Sequence, residues 1–214
     1  KFYFDPMPPV SHRDIQPGKS ILSAIKKKDI MLYFPYHPFD HFIDLLREAS
    51  IDPEVTSIQI TLYRLARNSS VINALLNAVR NGKDVTTVVE LQARFDEEAN
   101  MHWGNKLLGE GVKVIYGVPG LKVHSKLCLI TRVKKGISQR YAAIGTGNFN
   151  EDTARVYTDH LLLTTNKKIT NEVFKAFNFF SVNYRKDNYY HLVLSPFFLR
   201  NKITLLIENE INNA

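Results

Sequence analysis

Short apolar runs alternate with amphipathic stretches from residue 30 to residue 180. Ile30–Phe34 reads as a buried strand. After Pro35, Phe39, Phe42, Ile43, Leu45 and Leu46 recur at helical spacing, so a helix is expected over Phe39–Ala49. Val55–Tyr63 alternates as a strand, with Ile58, Ile60 and Leu62 inward. Ser69-Ser70 opens a helix that runs to Asn81 and closes at Gly82. Val85–Leu91 is nearly continuous in β-branched residues, the habit of a parallel strand covered on both faces. Asp96 caps a helix to Glu110, and Val112–Tyr116 is the next strand. Leu161–Thr165 reads as a strand, Thr170–Phe180 as a helix, His191–Ser195 as a strand and Pro196 onward as a helix. Strand and helix in alternation predict an α/β domain: a mostly parallel sheet with helices on both faces.

Polar residues in two apolar stretches change the picture. Leu121–Ile130 reads as a strand, which puts Lys122, His124, Lys126 and Cys128 on one face and Leu121, Val123, Leu127 and Leu129 on the other. Basic side chains among core residues are costly unless an anion meets them. A histidine between two lysines suits a phosphate, with the imidazole placed to attack or to donate a proton. The second stretch, Tyr141–Asn150, runs from an apolar strand into Gly145 and Gly147, then Asn148 and Asn150. Glycines allow backbone N–H groups to approach an oxyanion, and Asn148 adds an amide donor. Arg64 and Arg94 follow predicted strands, at the carboxyl edge where open α/β sheets bind ligands. Tyr157 offers an aromatic surface beside charged neighbours. His37 and His41 are four apart but lack a third ligand, so they read as solvated histidines at a helix start rather than as a metal pair.

The 214 residues carry 44% hydrophobic residues, enough for a core, and a net charge of +7, which favours anionic partners. The one cysteine, Cys128, excludes an internal disulfide and a Cys-based zinc site. No apolar run approaches 18 residues and no signal peptide stands out, so a cytoplasmic protein is expected. Residues 1–20, with Pro6, Pro8, Pro9 and Pro17, read as a linker from a preceding part. The expected division is that linker, a catalytic domain over 21–186, and the truncated start of a second domain over 187–214. The start at Lys1 and the helical pattern of Ile203–Ile211 at the end suggest a piece of a longer chain.

His124 and Lys126, followed by Gly145, Thr146 and Asn148, resemble the phospholipase D superfamily signature, His-x-Lys-x4-Asp and then Gly-Ser/Thr-x-Asn. Thr131 stands where that signature has Asp. Four longer stretches resemble bacterial polyphosphate kinase: Tyr63–Ala66, Val89–Asn100, Lys122–Lys126 and Ile144–Asn150. The resemblance runs from about Ile21 to the C-terminus. It implies the first C-terminal domain, of phospholipase D-like fold, and the start of the second. It implies reversible transfer of the ATP γ-phosphate to polyphosphate through a phosphohistidine, here His124. It also implies Mg²⁺ as cofactor, with Arg64 and Arg94 at the Mg-nucleotide positions and Tyr157 at the nucleotide position. A second catalytic histidine would lie beyond Ala214. In this frame Lys126 and Lys122 neutralise the transferred group, while Gly145, Gly147 and Asn148 cradle a phosphate. The expected partners are ATP, ADP and inorganic polyphosphate, with no nucleic acid. The full-length enzyme is expected to be a homo-oligomer, cytoplasmic or peripheral at the inner membrane.

Two other readings fit parts of the pattern. A phosphodiesterase or nuclease would pair single His-x-Lys motifs across a homodimer, against which Thr131 argues. A non-catalytic polyanion-binding module would rest on the net charge alone, with affinity spread over many Lys and Arg and steeply salt-dependent.

Overall fold

The computed structural model describes residues 7–66, 68–90, 97–183 and 187–213, with Glu97 and Ala99 described in backbone only. In chain order the elements are α1 (Ile21–Lys27), β1 (Ile30–Phe34), α2 (Asp40–Ile51), β2 (Val55–Leu62), α3 (Ser70–Arg80), β3 (Asp84–Val89) and α4 (Glu97–Gly109). Then come β4 (Lys113–Tyr116), β5 (Lys126–Lys134), β6 (Ile137–Gly145), β7 (Asp159–Thr164), α5 (Lys167–Ser181) and α6 (Leu199–Asn212).

Local chemistry sets the helix ends. Ser69 Oγ accepts from Ile72 N at 3.2 Å and caps α3. The Glu151 carboxylate joins it by accepting from Val71 N at 3.1 Å, where the helix dipole favours a negative charge. Glu48 of α2 does the same for α1, accepting from Ile21 N at 2.7 Å. Gly82, at φ +76°, lets the chain turn out of α3, with its N–H bonded to Val79 O at 2.8 Å.

The seven described strands form one sheet in the order β1-β7-β6-β5-β2-β3-β4. Only β2, β3 and β4 pair in parallel; the other four pairings are antiparallel. Followed across the sheet, these pairings give β1, β2, β3, β4 and β6 one direction and β5 and β7 the other. The expectation of a mostly parallel sheet therefore holds for strand direction. It holds for neighbour pairing only in the β2–β3–β4 half, because β5–β6 is a hairpin through Lys135-Gly136, with φ +49° and +77°. One core lies beneath α1, α2, α3 and the Trp103–Leu107 stripe of α4. A smaller core lies beneath α5, where Val173, Ala176 and Phe177 meet Leu127, Leu129 and Ala142. Helices thus cover both faces, unequally.

Four expectations need correction. The strand expected from Leu121 begins at Lys126, because residues 122–125 make no ladder pairing. The facial alternation survives: Cys128 and Ile130 enter the larger core, Leu127 and Leu129 the smaller. His191–Ser195 is not a strand; it lies along α5, held by backbone N–H groups donating to Glu172. His37 and His41 are not solvated helix-start residues. His41 is buried and its Nε2 accepts from His12 N at 3.0 Å, while His37 Nδ1 accepts from Tyr33 N at 2.9 Å. Those bonds belong to the fourth correction: residues 10–15 pack on the domain rather than trailing as a linker. Ile15 is in the core, and Val10 N donates to Tyr36 O at 2.8 Å.

Candidate active site

Strand direction gathers the candidate residues. β2, β3 and β6 end at the same rim of the sheet where the reversed strands β5 and β7 begin. That rim carries Tyr63 and Arg64 after β2, Glu90 after β3, residues 122–126 leading into β5, Gly145–Asn148 leaving β6, and Asp159 opening β7. Lys126 is opposite Gly145 in the register, and Gly145 is opposite Leu161.

Lys126 is only 6% exposed. Its Nζ donates to the carbonyl of His124 and sits 5.1 Å from the centre of the Tyr63 ring. Lys122 Nζ lies 5.6 Å from the same ring, so two ammonium groups share one aromatic ring. Burial drives the Lys126 pKa down to about 8; the charge of Asp159 pulls the other way and only partly offsets it. His124 is exposed, with its ring edge-on to Tyr63 at 4.9 Å. Partial burial of the ring, then Lys126 and Lys122, hold its pKa below the usual histidine value. These influences favour the neutral imidazole, the form that offers a nitrogen lone pair.

The glycine loop is shaped by Asp159. A Cβ on Gly147 would stand 2.1 Å from Asp159 Oδ2, and one on Gly145 would come within 3.1 Å of Gly147 O. Neither glycine needs a positive φ, so close approach is their reason. Thr146 Oγ1 donates to Asp159 Oδ1 at 2.8 Å and accepts from His160 N at 3.0 Å. Asn150 Oδ1 accepts from the N–H groups of Asp152 and Thr153, and its amide donates to Arg64 O at 3.4 Å, joining the loop to the end of β2. Two buried oxygens, Asn148 Oδ1 and Ser125 Oγ, have no hydrogen-bond partner among the described residues.

The rim thus brings together His124, Lys126, Lys122, Arg64, Gly145, Gly147 and Asn148. Tyr157 stands 62% exposed after a 3-10 turn at Thr153–Arg155, two residues before Asp159. Arg94 and the Asp96 cap lie outside the described residues. Thr131 is well inside β5, opposite Ser57 and Arg140, away from the rim. The rim's described carboxylates include Asp159 and Glu90, and neither enters the sequence argument as a site residue. Asp159 could have been found as an acid opening an apolar strand two residues after Tyr157.

A sequence model of the polyphosphate kinase C-terminal domain 1 matches residues 20–186. The chain is 54% identical over 209 residues to a polyphosphate kinase of Vibrio parahaemolyticus, covering 98% of this chain and 30% of the relative. It is 52% identical over 191 residues to that of Escherichia coli, covering 89% and 28%. The chain thus spans less than a third of the length of these relatives. The crystal structure of polyphosphate kinase from Porphyromonas gingivalis superposes with a TM-score of 0.85 at 39% identity, over 96% of this chain and 34% of that one. The phospholipase D family member Nuc from Salmonella typhimurium superposes at 0.56 with 16% identity, over 77% and 99%, a likeness of fold alone. With a family match over most of its length and half its residues shared with named relatives, the chain belongs to the polyphosphate kinase family and has the phospholipase D-like fold.

Proposed function

We propose that this chain is the phosphoryl-transfer portion of a polyphosphate kinase, moving the γ-phosphate of ATP to polyphosphate and back through His124. The observation that carries the reading is an exposed imidazole between Lys122 and Lys126, all three at the Tyr63 ring, on a rim with a glycine loop. In the first step an imidazole nitrogen forms a bond to the γ-phosphorus. The bond from that phosphorus to the β,γ-bridging oxygen breaks, and ADP leaves with the electron pair. In the second step a terminal oxygen of the polyphosphate chain attacks the phosphorus and the P–N bond breaks. Reversal of both steps regenerates ATP.

Phosphoryl transfer asks the protein mainly for position and positive charge. Lys126 supplies charge from a desolvated site, where it acts more strongly than in water. An arriving phosphate raises the Lys126 pKa and restores the full ammonium. Arg64 and Arg94 would take phosphate oxygens in bidentate fashion. Tyr157 would stack on the nucleotide, and Asn148 with the Gly145 and Gly147 N–H groups would hold a second phosphate. Mg²⁺ would arrive on the nucleotide and neutralise phosphate charge. As a hard cation it takes oxygen ligands, and Asp159 and the unpartnered Asn148 Oδ1 are oxygens of the right kind at this rim.

The test uses a polyphosphate kinase chain carrying this domain, with γ-labelled ATP and Mg²⁺. Wild type should acquire protein-bound label that is acid-labile and base-stable and that chases into long chains. His124→Ala should acquire none. Normal elongation by His124→Ala would overturn the reading. The 214-residue portion alone should synthesise little or no polyphosphate.

A further inference from the structure

We infer that Glu90 and Thr61 are positioning residues for His124, each gripping the backbone of a residue next to it: Glu90 the N–H of Val123 and Thr61 the carbonyl of Ser125. Residues 122–125 have no strand partner, so the polar backbone of this segment must be satisfied some other way. Side chains supply it at two points. The Glu90 carboxylate, 4% exposed, accepts from Val123 N at 2.8 Å. The Thr61 hydroxyl, 3% exposed, donates to Ser125 O at 2.7 Å and accepts from Leu127 N at 3.0 Å. His124 lies between the two grips, and its own carbonyl takes the Lys126 ammonium.

The grips are anchored in turn. Thr61 belongs to β2, in the centre of the sheet. Asn100 of α4, fully buried, donates from one Nδ2 to Tyr63 O at 2.8 Å and to Glu90 O at 2.9 Å. One amide thereby ties together the ends of β2 and β3, and with them Tyr63 and the backbone beneath Glu90. A buried carboxylate is expensive and is retained only where its bonds are valuable. Here one of those bonds fixes the approach of the segment that carries the proposed nucleophile. An in-line attack tolerates little misplacement: a shift of about 1 Å costs roughly 100-fold in rate.

The inference rests on the proposed role of His124, and the experiment separates the two. In the polyphosphate kinase chain containing this domain, Thr61→Val keeps volume but removes the hydroxyl, and Glu90→Ala removes the carboxylate. Thr61→Ser and Glu90→Gln keep an oxygen at each grip. We expect kcat to fall about 10- to 100-fold in Thr61→Val and Glu90→Ala, with KM for ATP and polyphosphate changed less than about threefold. Thr61→Ser and Glu90→Gln should stay within a few-fold of wild type. Amide exchange supplies a readout independent of activity: Val123 N–H should lose protection in Glu90→Ala and Leu127 N–H in Thr61→Val. Both should regain it in the conservative variants. Lost protection with unchanged kcat would overturn the inference, and so would conservative variants as slow as the truncations. If Glu90→Ala fails to fold, Glu90→Gln and the two Thr61 variants decide. If wild type carries no label on His124, the function fails on its own, and retained protection in Glu90→Ala and Thr61→Val would still overturn the grips.

Discussion

Two buried ionic side chains, Glu172 on α5 and Lys126 at the head of β5, are treated in opposite ways by the same fold. Glu172 is 4% exposed and Lys126 6%. The Glu172 carboxylate accepts from Leu192 N at 2.7 Å, Tyr190 N at 2.8 Å and His191 N at 2.9 Å, with His191 Nδ1 at 3.2 Å. Burial alone raises its pKa, but the N–H groups of Leu192, Tyr190 and His191 outweigh that and leave it below the ordinary carboxylate value. Lys126 has a carbonyl and an aromatic face, and its pKa falls to about 8. A buried charge saturated with donors is a structural fastener, here clasping residues 190–192 to α5. A buried charge left short of partners is held at a cost, about 3 kcal/mol against the ionised form by the size of its shift. That cost makes sense where an anion is to arrive.

The largest test of this contrast is Lys126→Met. We expect transfer activity to fall by about 100-fold or more, as for loss of one preorganised donor. The melting temperature should hold or rise, because the methionine needs no solvation. A clear drop in melting temperature would make Lys126 a fastener too and break the comparison. Glu172→Ala should do the reverse. Three backbone donors lose their acceptor, so unfolding free energy from denaturant titration should fall by about 2–3 kcal/mol. Activity per folded molecule should stay near wild type.

A smaller effect is expected at the loop. Gly147→Ala places a methyl against Asp159 and should cost about 1–3 kcal/mol. Adding Asp159→Ala should recover part of that loss, a coupling that a double-mutant cycle measures.

The gentlest probe is pH. The Lys126 pKa is lower folded than unfolded, so between about 8 and 10.5 the unfolded chain binds more protons. Lys126 therefore makes stability rise with pH across that window. Free-enzyme kcat/KM should fall as pH passes about 8, and Lys126→Arg should remove that limb. Glu172 runs the other way: its contribution is full above 4.5 and fades as pH drops through its lowered folded value. The protection of amides 190–192, taken relative to their intrinsic exchange rates, should fall in acid.

Much of the site is legible in the order of residues. His124, Lys126 and the Gly145–Asn148 loop are picked out as a candidate phosphate site by residue type and spacing, and the strand register brings them to one rim. Long-range partners stayed hidden. Asp159 is 33 residues from Lys126 in sequence, and Glu90 is 33 from Val123. No periodicity links such pairs. His41 looked solvated because its partner, His12 N, lies 29 residues away in a segment that reads as a linker.

The sequence by itself determined most of the strands and helices between Ile30 and Phe180, the Ser69 cap of α3, and the identity of the basic and glycine-rich motifs, since each depends on neighbours within a few residues. Tertiary structure alone decided the directions of β5 and β7, and so which strand ends share a rim. It decided as well that residues 122–125 hang between Thr61 and Glu90 instead of joining the sheet. Pairing direction and side-chain grips are set by contacts between segments tens of residues apart, where burial and hydrogen-bond satisfaction are settled for the whole core at once.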